Sequence, residues 1–473
     1  MIHRYQKKGL NFVLNVNSGA VHLLDDISYA VSGLLDENME DTCPQSIVEA
    51  LPQYTAEDVR DAYDELYELK KAGQLFAQDD YIDVSRYIPV NAPVKALCLH
   101  VAHDCNLRCK YCFASTGDFG QGRKIMPPEI AKKAMDFVIA RSGVRHNIEV
   151  DFFGGEPLMA WDTVTQTVDY ARSLEEKHNK KFRFTITTNG LLLDEDKRKY
   201  INENMDNCVL SLDGRREVND EFRKTVAGTG SYDTIVPKFK ALVDERDPNL
   251  DYYARGTFTS HNLDFAEDVL SIADAGFDRL SVEPVTADPG CGYDLTEADL
   301  PKIEAEYDRL TDIMLERKKE GKPFTFFHFM VDLDQGPCVV KRLRGCGAGY
   351  EYVAVTPDGD IYPCHQFVGK EEYCMGNVFD GSFNMDISST FANQNIYTRP
   401  ACRECWARFY CSGGCSASNL LVNNDISKSN EVACEMERKR LECAIALNAI
   451  AAGMGEAVPT CSNTDCNQCE SCQ

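Results

Sequence analysis

The sequence predicts an α/β protein built around a parallel sheet, with a small α+β module before it and a cysteine-rich region after it. Three observations carry this reading. Between about 94 and 320, strand-like and helix-like stretches alternate six times. Before residue 80, a hairpin pattern is followed by helical ones. The 21 cysteines gather in closely spaced groups. A chain of 473 residues also exceeds one ordinary core, so two or three domains are expected.

The elements follow in order. Phe12, Leu14 and Val16 alternate as in a half-buried strand, Asn17-Ser18-Gly19 makes a turn, and Val21 and Leu23 alternate on the return. In TAEDVRDAYDELYELKKAG, Thr55 and Asp58 resemble a capping box. Val59, Ala62, Tyr63, Leu66 and Leu69 form one apolar stripe, and Gly73 ends the helix. Hairpin plus helices suggests a winged-helix shape for residues 1–80. A linker over 81–93, with Pro89 and Pro93, shows no clear period.

Six strands are expected within KALCLHVA, IEVDFF, FRFTITT, NCVLSL, YYARGTFT and RLSVEPV. Stretches such as PPEIAKKAMDFVIARS and LDFAEDVLSIADAG read as helices between them. Such units imply right-handed crossovers, in an open sheet or a barrel-like curl, with sites at the C-terminal strand ends. HDCNLRCKYC, GGEP, TNG and SLDG all fall at those ends. Later, VAVTPDGDIYPC reads as a hairpin around Pro357-Asp358-Gly359 that delivers Cys364. The tail, residues 453–473, is polar and reads as disordered.

Composition excludes several classes. No apolar run approaches the roughly 18 residues that span a bilayer, so no membrane partner is expected. The start, MIHRYQKKGLNF, lacks the apolar core of a signal peptide, which predicts a cytoplasmic chain. A net charge of −25 argues against a nucleic-acid partner and suits a partner with a basic segment. Clustered cysteines in a reducing compartment point to metal or iron–sulfur ligation rather than disulfides.

Cys105, Cys109 and Cys112 stand at C-x3-C-x2-C spacing, one ligand short of a closed site. Either a zinc loop is completed by His103 or a distant residue, or a [4Fe–4S] cluster keeps one iron open. CNLRCKYC resembles the signature of the radical S-adenosylmethionine (SAM) superfamily, with Tyr111 before the last cysteine, and GGEP, TNG and SLDG follow in the superfamily's order. The resemblance implies a partial (β/α)6 barrel over 94–320 and a cluster whose open iron chelates SAM. Reductive cleavage of SAM then gives a 5′-deoxyadenosyl radical. It implies cofactor contacts at Tyr111, Gly154, Gly155, Glu156, Ser211 and Arg223. The glycines would let the backbone approach the methionine amino group, Glu156 would anchor the loop or an ammonium, Ser211 would bind the ribose and Arg223 the carboxylate. Arg255 is a further candidate, and Asn189 is expected to hold a strand end.

The second group runs C-x12-G-x4-C from Cys346 through Gly359 to Cys364, then C-x2-C-x5-C-x3-C at Cys402, Cys405, Cys411 and Cys415, then Cys434. Zinc knuckles are one reading. The pattern resembles the seven-cysteine SPASM domain, placed over 321–452 with a bridging region. That resemblance implies two auxiliary [4Fe–4S] clusters, three clusters in all. It assigns Cys346, Cys364 and Cys415 to one, and Cys402, Cys405, Cys411 and Cys434 to the other. Two cubanes need eight ligands, so either Cys338 or a substrate cysteine completes the first. Cys43, Cys98, Cys208, Cys291, Cys374 and Cys443 read as small buried hydrophobes. Cys461, Cys466, Cys469 and Cys472 lie in the tail.

Residues 1–80 resemble a RiPP recognition element, which binds the leader of a ribosomally made, later modified peptide by strand addition. From NVNSGAVHLLDD to GPCVVKRLRGCGAGYEYVAVTPDGDIYPCHQFVG, the chain is similar to the SCIFF maturase family. This implies thioether formation between a cysteine sulfur and an acceptor carbon in a short Cys-rich precursor peptide, fed by a low-potential electron donor. The alternatives are a sulfatase-maturase-like enzyme forming formylglycine, an iron–sulfur electron carrier without catalysis, and a winged-helix regulator, which the acidic charge disfavours.

Overall fold

The computed structural model describes residues 1–87, 91–333 and 339–453. Cys338 and the four tail cysteines lie outside the described residues, as does the expected disorder beyond residue 453.

The chain opens with β1 (Ile2–Lys7), β2 (Leu10–Asn15) and β3 (Val21–Leu24), an antiparallel three-stranded sheet in that order. The expected hairpin is β2–β3, with Gly19 at φ +77 in its turn. The sequence reading missed β1, whose residues Ile2–Lys7 include His3, Arg4, Gln6 and Lys7 and show little alternation. Helices α1 (Asp26–Ser32), α2 (Gln45–Ala50) and α3 (Ala56–Lys71) cover one face. The Thr55 hydroxyl accepts from Asp58 N at 3.1 Å, and Val59, Ala62, Tyr63 and Leu66 are buried, with Leu69 half-buried beside them.

The expected linker is corrected in part, since it contains α4 (Tyr81–Tyr87) and is pinned. Asp79 accepts from the Tyr397 hydroxyl at 2.6 Å and pairs with Arg408 at 3.1 Å. The module is also fixed to the rest of the chain. Tyr5, Phe12 and Leu14 pack with Ile445 and Ala446, and Lys7 pairs with Asp308.

All six expected strands form. They are β4 (Ala96–His103), β6 (Asn147–Gly154), β7 (Lys181–Thr188), β8 (Asn207–Ser211), β9 (Asp251–Phe258) and β10 (Arg279–Pro284), with β5 (Lys124–Ile125) antiparallel to β4. Between them run α5 (Pro128–Arg141), α6 (Trp161–His178), α7 (Glu195–Asn204), α8 (Arg216–Phe222), α9 (Tyr232–Asp244) and α10 (Phe265–Asp274). Neighbouring strands pair in parallel through β4-β6-β7-β8-β9-β10, and β11 (Thr325–Phe326), after α11 (Leu300–Lys319), adds to β10. Alternate residues Phe182, Phe184 and Ile186 are fully buried, as are Ile148, Val150 and Phe152 on the next strand.

After α12 (Val339–Arg344) comes a hairpin, β12 (Tyr352–Val355) and β13 (Asp360–Tyr362), followed by β14 (Gly376–Asn377). Here β12 pairs in parallel with β4, so the hairpin extends the central sheet into one of eleven strands. The sequence reading foresaw the hairpin but not this partner. Then follow α13 (Met385–Ala392), α14 (Pro400–Arg403), α15 (Arg408–Cys411), α16 (Ser416–Asn423) and the 23-residue α17 (Glu431–Gly453), which packs on α11. No helix among the described residues is long and apolar enough to cross a membrane.

Phe12 is fully buried where the N-terminal sheet meets α17. Phe12→Ala is expected to cost about 3–5 kcal/mol, read as a lower urea midpoint; an unchanged midpoint would show that this seam adds nothing to stability.

Candidate metal centre and active site

β4 and β6 end side by side, and the Cys105–Cys112 loop springs from β4. Its backbone is clamped from across: Arg108 N donates to Lys224 O at 2.7 Å, and Lys110 N to Phe222 O at 3.0 Å. Cys105 Sγ accepts from Leu107 N at 3.4 Å and from Asn189 Nδ2 at 3.6 Å. Asn189 thus reaches the cysteine loop itself, beyond the strand-end role expected for it.

Cys105, Cys109 and Cys112 line one cavity with Tyr111, Gly154, Gly155, Glu156, Ser211 and Arg223, and Arg255 and Asn189 join them. The structure therefore collects every cofactor contact that the sequence reading named. Their local reasons differ from those expected. A Cβ on Gly154 would stand 2.2 Å from Ala102 O, and one on Gly155 2.2 Å from Asp104 O. Both glycines are demanded by the packing of the loop on β4, whatever else approaches them. Glu156 is a loop anchor: it accepts from Leu158 N (3.0 Å), Asn189 N (2.8 Å) and Thr188 Oγ1 (2.7 Å). Burial outweighs these bonds and pushes its carboxyl up to about 7.

Arg223 and Tyr111 meet at Asp213, which sequence reasoning passed over. Asp213 has no exposed surface. It accepts from the Tyr111 hydroxyl at 2.7 and 2.9 Å and from Thr257 N at 3.0 Å, and Arg223 Nε lies 3.0 Å from its Oδ2. The Arg223 guanidinium also sits 5.5 Å over the Tyr111 ring. The SLDG motif flagged this turn, but only Ser211 was taken from it.

Burial raises the Cys105 and Cys109 thiols to about 12; neighbouring thiolates add to this, while Arg223 pulls Cys109 back. Such thiols would lose their protons to solvent only where a cation placed among them stabilises the thiolates, which the iron of a cluster would do. The donor set fits an iron–sulfur cluster. Among the described residues, no three Cys, His, Asp or Glu side chains form a group that could hold a lone metal ion. His103, one candidate for a fourth zinc ligand, is turned away. It is buried against Phe119, bonded to His100 Nδ1 at 3.2 Å, and does not line the cavity.

The remaining cysteines sort into neighbourhoods. The Cys364 thiol is raised by burial, then by Cys415 and Cys346. Cys411 is raised by burial and in part by Cys434 and Cys402, and Cys434 by burial and in part by Cys402 and Cys405. These neighbourhoods bring Cys346, Cys364 and Cys415 near one another, and Cys402, Cys405, Cys411 and Cys434 near one another. Between them stands Arg399, 3 % exposed and close in charge to Cys402, Cys411, Cys415 and Cys346. No motif marked it. Cys98, Cys208 and Cys443 are buried as expected, whereas Cys291 is exposed and Cys43 and Cys374 are half-buried. Cys291 sits in a turn after β10, away from any strand or helix that would bury it.

The far wall of the cavity holds Arg255 paired with Glu283, and His365 directly after Cys364. Glu283 leads to His328 (3.7 Å), whose Nδ1 lies 3.1 Å from Arg440. An arginine can only donate, so Nδ1 accepts and Nε2 carries the proton toward Ser281 Oγ at 3.2 Å. A separate cavity of about 650 Å³, beside Val94, Arg141 and Phe383, lies at the opposite end of β4 and away from the cysteines.

With this geometry in place, comparison with known proteins is direct. Residues 99–254 match the radical SAM superfamily, and residues 346–406 match an iron–sulfur cluster-binding domain, SPASM. The chain thus carries one region similar to radical SAM proteins and a second similar to SPASM domains. A cysteine-type anaerobic sulfatase-maturating enzyme of Clostridium novyi is 25% identical over 354 residues, covering 70% of this chain and 90% of that protein. Among solved structures, anSMEcpe with bound AdoMet superposes at TM-score 0.63 with 20% identity, over 76% of this chain and 100% of its own. SuiB of Streptococcus suis bound to its precursor peptide SuiA superposes at 0.52 with 16% identity, over 91% of this chain and 98% of its own.

Burial, then Arg440, lowers His328 to about 3 from 6.5. Below pH 6.5 the unfolded chain takes up a proton that the folded chain refuses, so this histidine's contribution to stability is lost as pH falls. His328→Gln should therefore lose less urea resistance than wild type between pH 6.5 and about 5; parallel curves would mean that His328 titrates alike in both states.

Proposed function

We propose that the chain is a radical SAM peptide maturase of the SCIFF type, joining a cysteine sulfur to an acceptor carbon within a short Cys-rich precursor. One observation carries the reading: the cavity of the C-x3-C-x2-C loop is also lined by His365 and Gln366, the residues after Cys364. A peptide in that cavity lies between the SAM-binding loop and the first auxiliary cysteine group. Cys105, Cys109 and Cys112 would hold the cluster that binds SAM, and with an electron from a low-potential donor the pair would supply the radical chemistry for hydrogen abstraction, an auxiliary cluster serving as electron sink. The chain's own residues orient the partners: Ser211 and Arg223 line the SAM side, Glu156 locks the loop, and the cavity walls hold the peptide. Cys346, Cys364 and Cys415 leave one ligand position for a substrate thiolate or for Cys338.

Leader recognition belongs to residues 1–80. β3 is an edge of the N-terminal sheet, with Leu23 49% exposed, while β1 at the other edge is tied to α17 through His3 and Glu442. From Asp25 to Glu65 the sole basic Lys or Arg is Arg60, so the surface suits a leader with basic residues. A sulfatase-maturase-like oxidation is the second reading, favoured by the similarity to the Clostridium novyi protein.

Anaerobic incubation of reconstituted protein with SAM, reductant and a SCIFF-type precursor encoded beside the gene should give a peptide lighter by two hydrogens, with one cysteine no longer alkylatable. Formylglycine in place of that cysteine would favour the second reading, and release of 5′-deoxyadenosine over an unchanged peptide would reject this substrate. Replacing Cys105, Cys109 and Cys112 together by Ala should abolish SAM cleavage; cross-linking that survived would reject the radical route.

Leu23→Asp should weaken binding of the same peptide by about tenfold, measured by fluorescence anisotropy. SAM cleavage without peptide should stay unchanged. Unaltered affinity would move the leader away from β3.

A further inference from the structure

The cavity at the cysteine loop does not end at β10. Pro284, Val285 and Thr286 line it, and the same three residues line a second cavity of about 200 Å³. The second cavity opens between the segment that follows β10 and the helices α16 and α17. Its opposite side is apolar, with Leu295, Leu421 and Met436 prominent, and no lysine or arginine lines it. Asp294 is the one carboxylate in its lining, and it is spent on backbone: it accepts from Gly290 N at 2.7 Å and from Gly292 N at 3.3 Å.

Two of the lining side chains have no share in the core. Leu421 is half-buried and Val422 is 41% exposed, and neither packs into any hydrophobic cluster of the protein. Their apolar surface is left over after folding is complete. It faces a cavity that shares Pro284, Val285 and Thr286 with the candidate active site, on helices that follow Cys415 and carry Cys434.

We infer that this groove is a specificity subsite for one aliphatic side chain of the peptide, on a residue flanking the modified position. The inference rests on the peptide-modifying function proposed above. In an extended peptide, neighbouring side chains point to opposite faces. With the reacting residue in the main cavity, its neighbour is carried across the shared Pro284–Thr286 wall. Val, Leu, Ile or Met fills a space of this size. Lys or Asp would be buried there without a partner, and that penalty is the selective element. Apolar pockets of this kind discriminate by about 10- to 200-fold.

The test uses the reconstituted protein and the SCIFF-type precursor of the functional experiment, with the residue on either side of the modified position changed in turn to Val, Leu, Phe, Lys or Asp. On one side only, Lys and Asp should raise KM by about tenfold or more while kcat changes little. Two variants probe the pocket itself. Leu421→Trp fills the groove and should raise KM for the Leu-bearing peptide about tenfold, whereas Leu421→Ala enlarges it and should admit Phe. Fluorescence anisotropy of the labelled peptides on SAM-loaded, unreduced protein reads the same order without turnover. KM and affinity indifferent to both flanking residues and to both Leu421 variants would overturn the subsite while leaving the maturase reading intact. Failure to modify any peptide would reject the maturase reading and the subsite with it.

Discussion

A carboxylate without access to water holds the centre of this protein together. Asp213 takes hydrogen bonds from Tyr111 and from the β9 backbone at Thr257, and it pairs with Arg223 after α8. One side chain thereby joins the cysteine loop, two strand ends and a helix terminus. Its charge is costly to bury and is tolerable only because three partners meet it. The arrangement also fixes the electrostatics of the site, since Arg223 leans on Tyr111 and offsets the charge of Cys109. Three thiolates gathered in one loop would otherwise repel one another.

The second constraint is a strand pairing. β12 lies parallel to β4 from Tyr352↔Ala96 to Val355↔Leu99, so the cysteine-rich region continues the central sheet. Cys364 follows the β12–β13 hairpin, while the Cys105 loop follows β4. The two cysteine groups are thus referenced to one rigid sheet. Arg399, buried between both auxiliary sets, places a fixed positive charge where thiolates collect.

Much of this was legible in the sequence, for physical reasons. Strands buried on alternate faces keep a period of two, as in FRFTITT, and the α3 stripe with its Thr55 cap is equally direct. The cysteine groups are visible because their close spacing marks them, and the family resemblance sorts them into sets. What escaped was long-range. β1 is a strand because of its neighbour β2, not through its own pattern. Asp213 and Arg399 gain their roles from residues far away along the chain, and a single Asp or Arg carries no local mark of burial. The glycines of GGEP were rightly singled out, but the contact that forbids a side chain is with β4. His103 stood as one way to complete a zinc loop because of its position, yet its ring belongs to the His100–Phe119 stack. Residues 81–87 read as part of a linker because they show no clear period, and nothing local reveals that Asp79, just before them, is held by Tyr397 and Arg408.

The N-terminal sheet does not swing on its connection. Phe12, Leu14 and Tyr5 are buried against α17, and Lys7 is paired with Asp308 on α11. The distance from the β3 edge to the cysteine cavity is therefore a property of the fold, a built-in ruler. Were a leader to dock on β3, as proposed, the peptide would present to the cavity only those residues that its intervening length lets reach, at an effective concentration set by that length. Position along the peptide, as well as local chemistry, then decides which residue is reached.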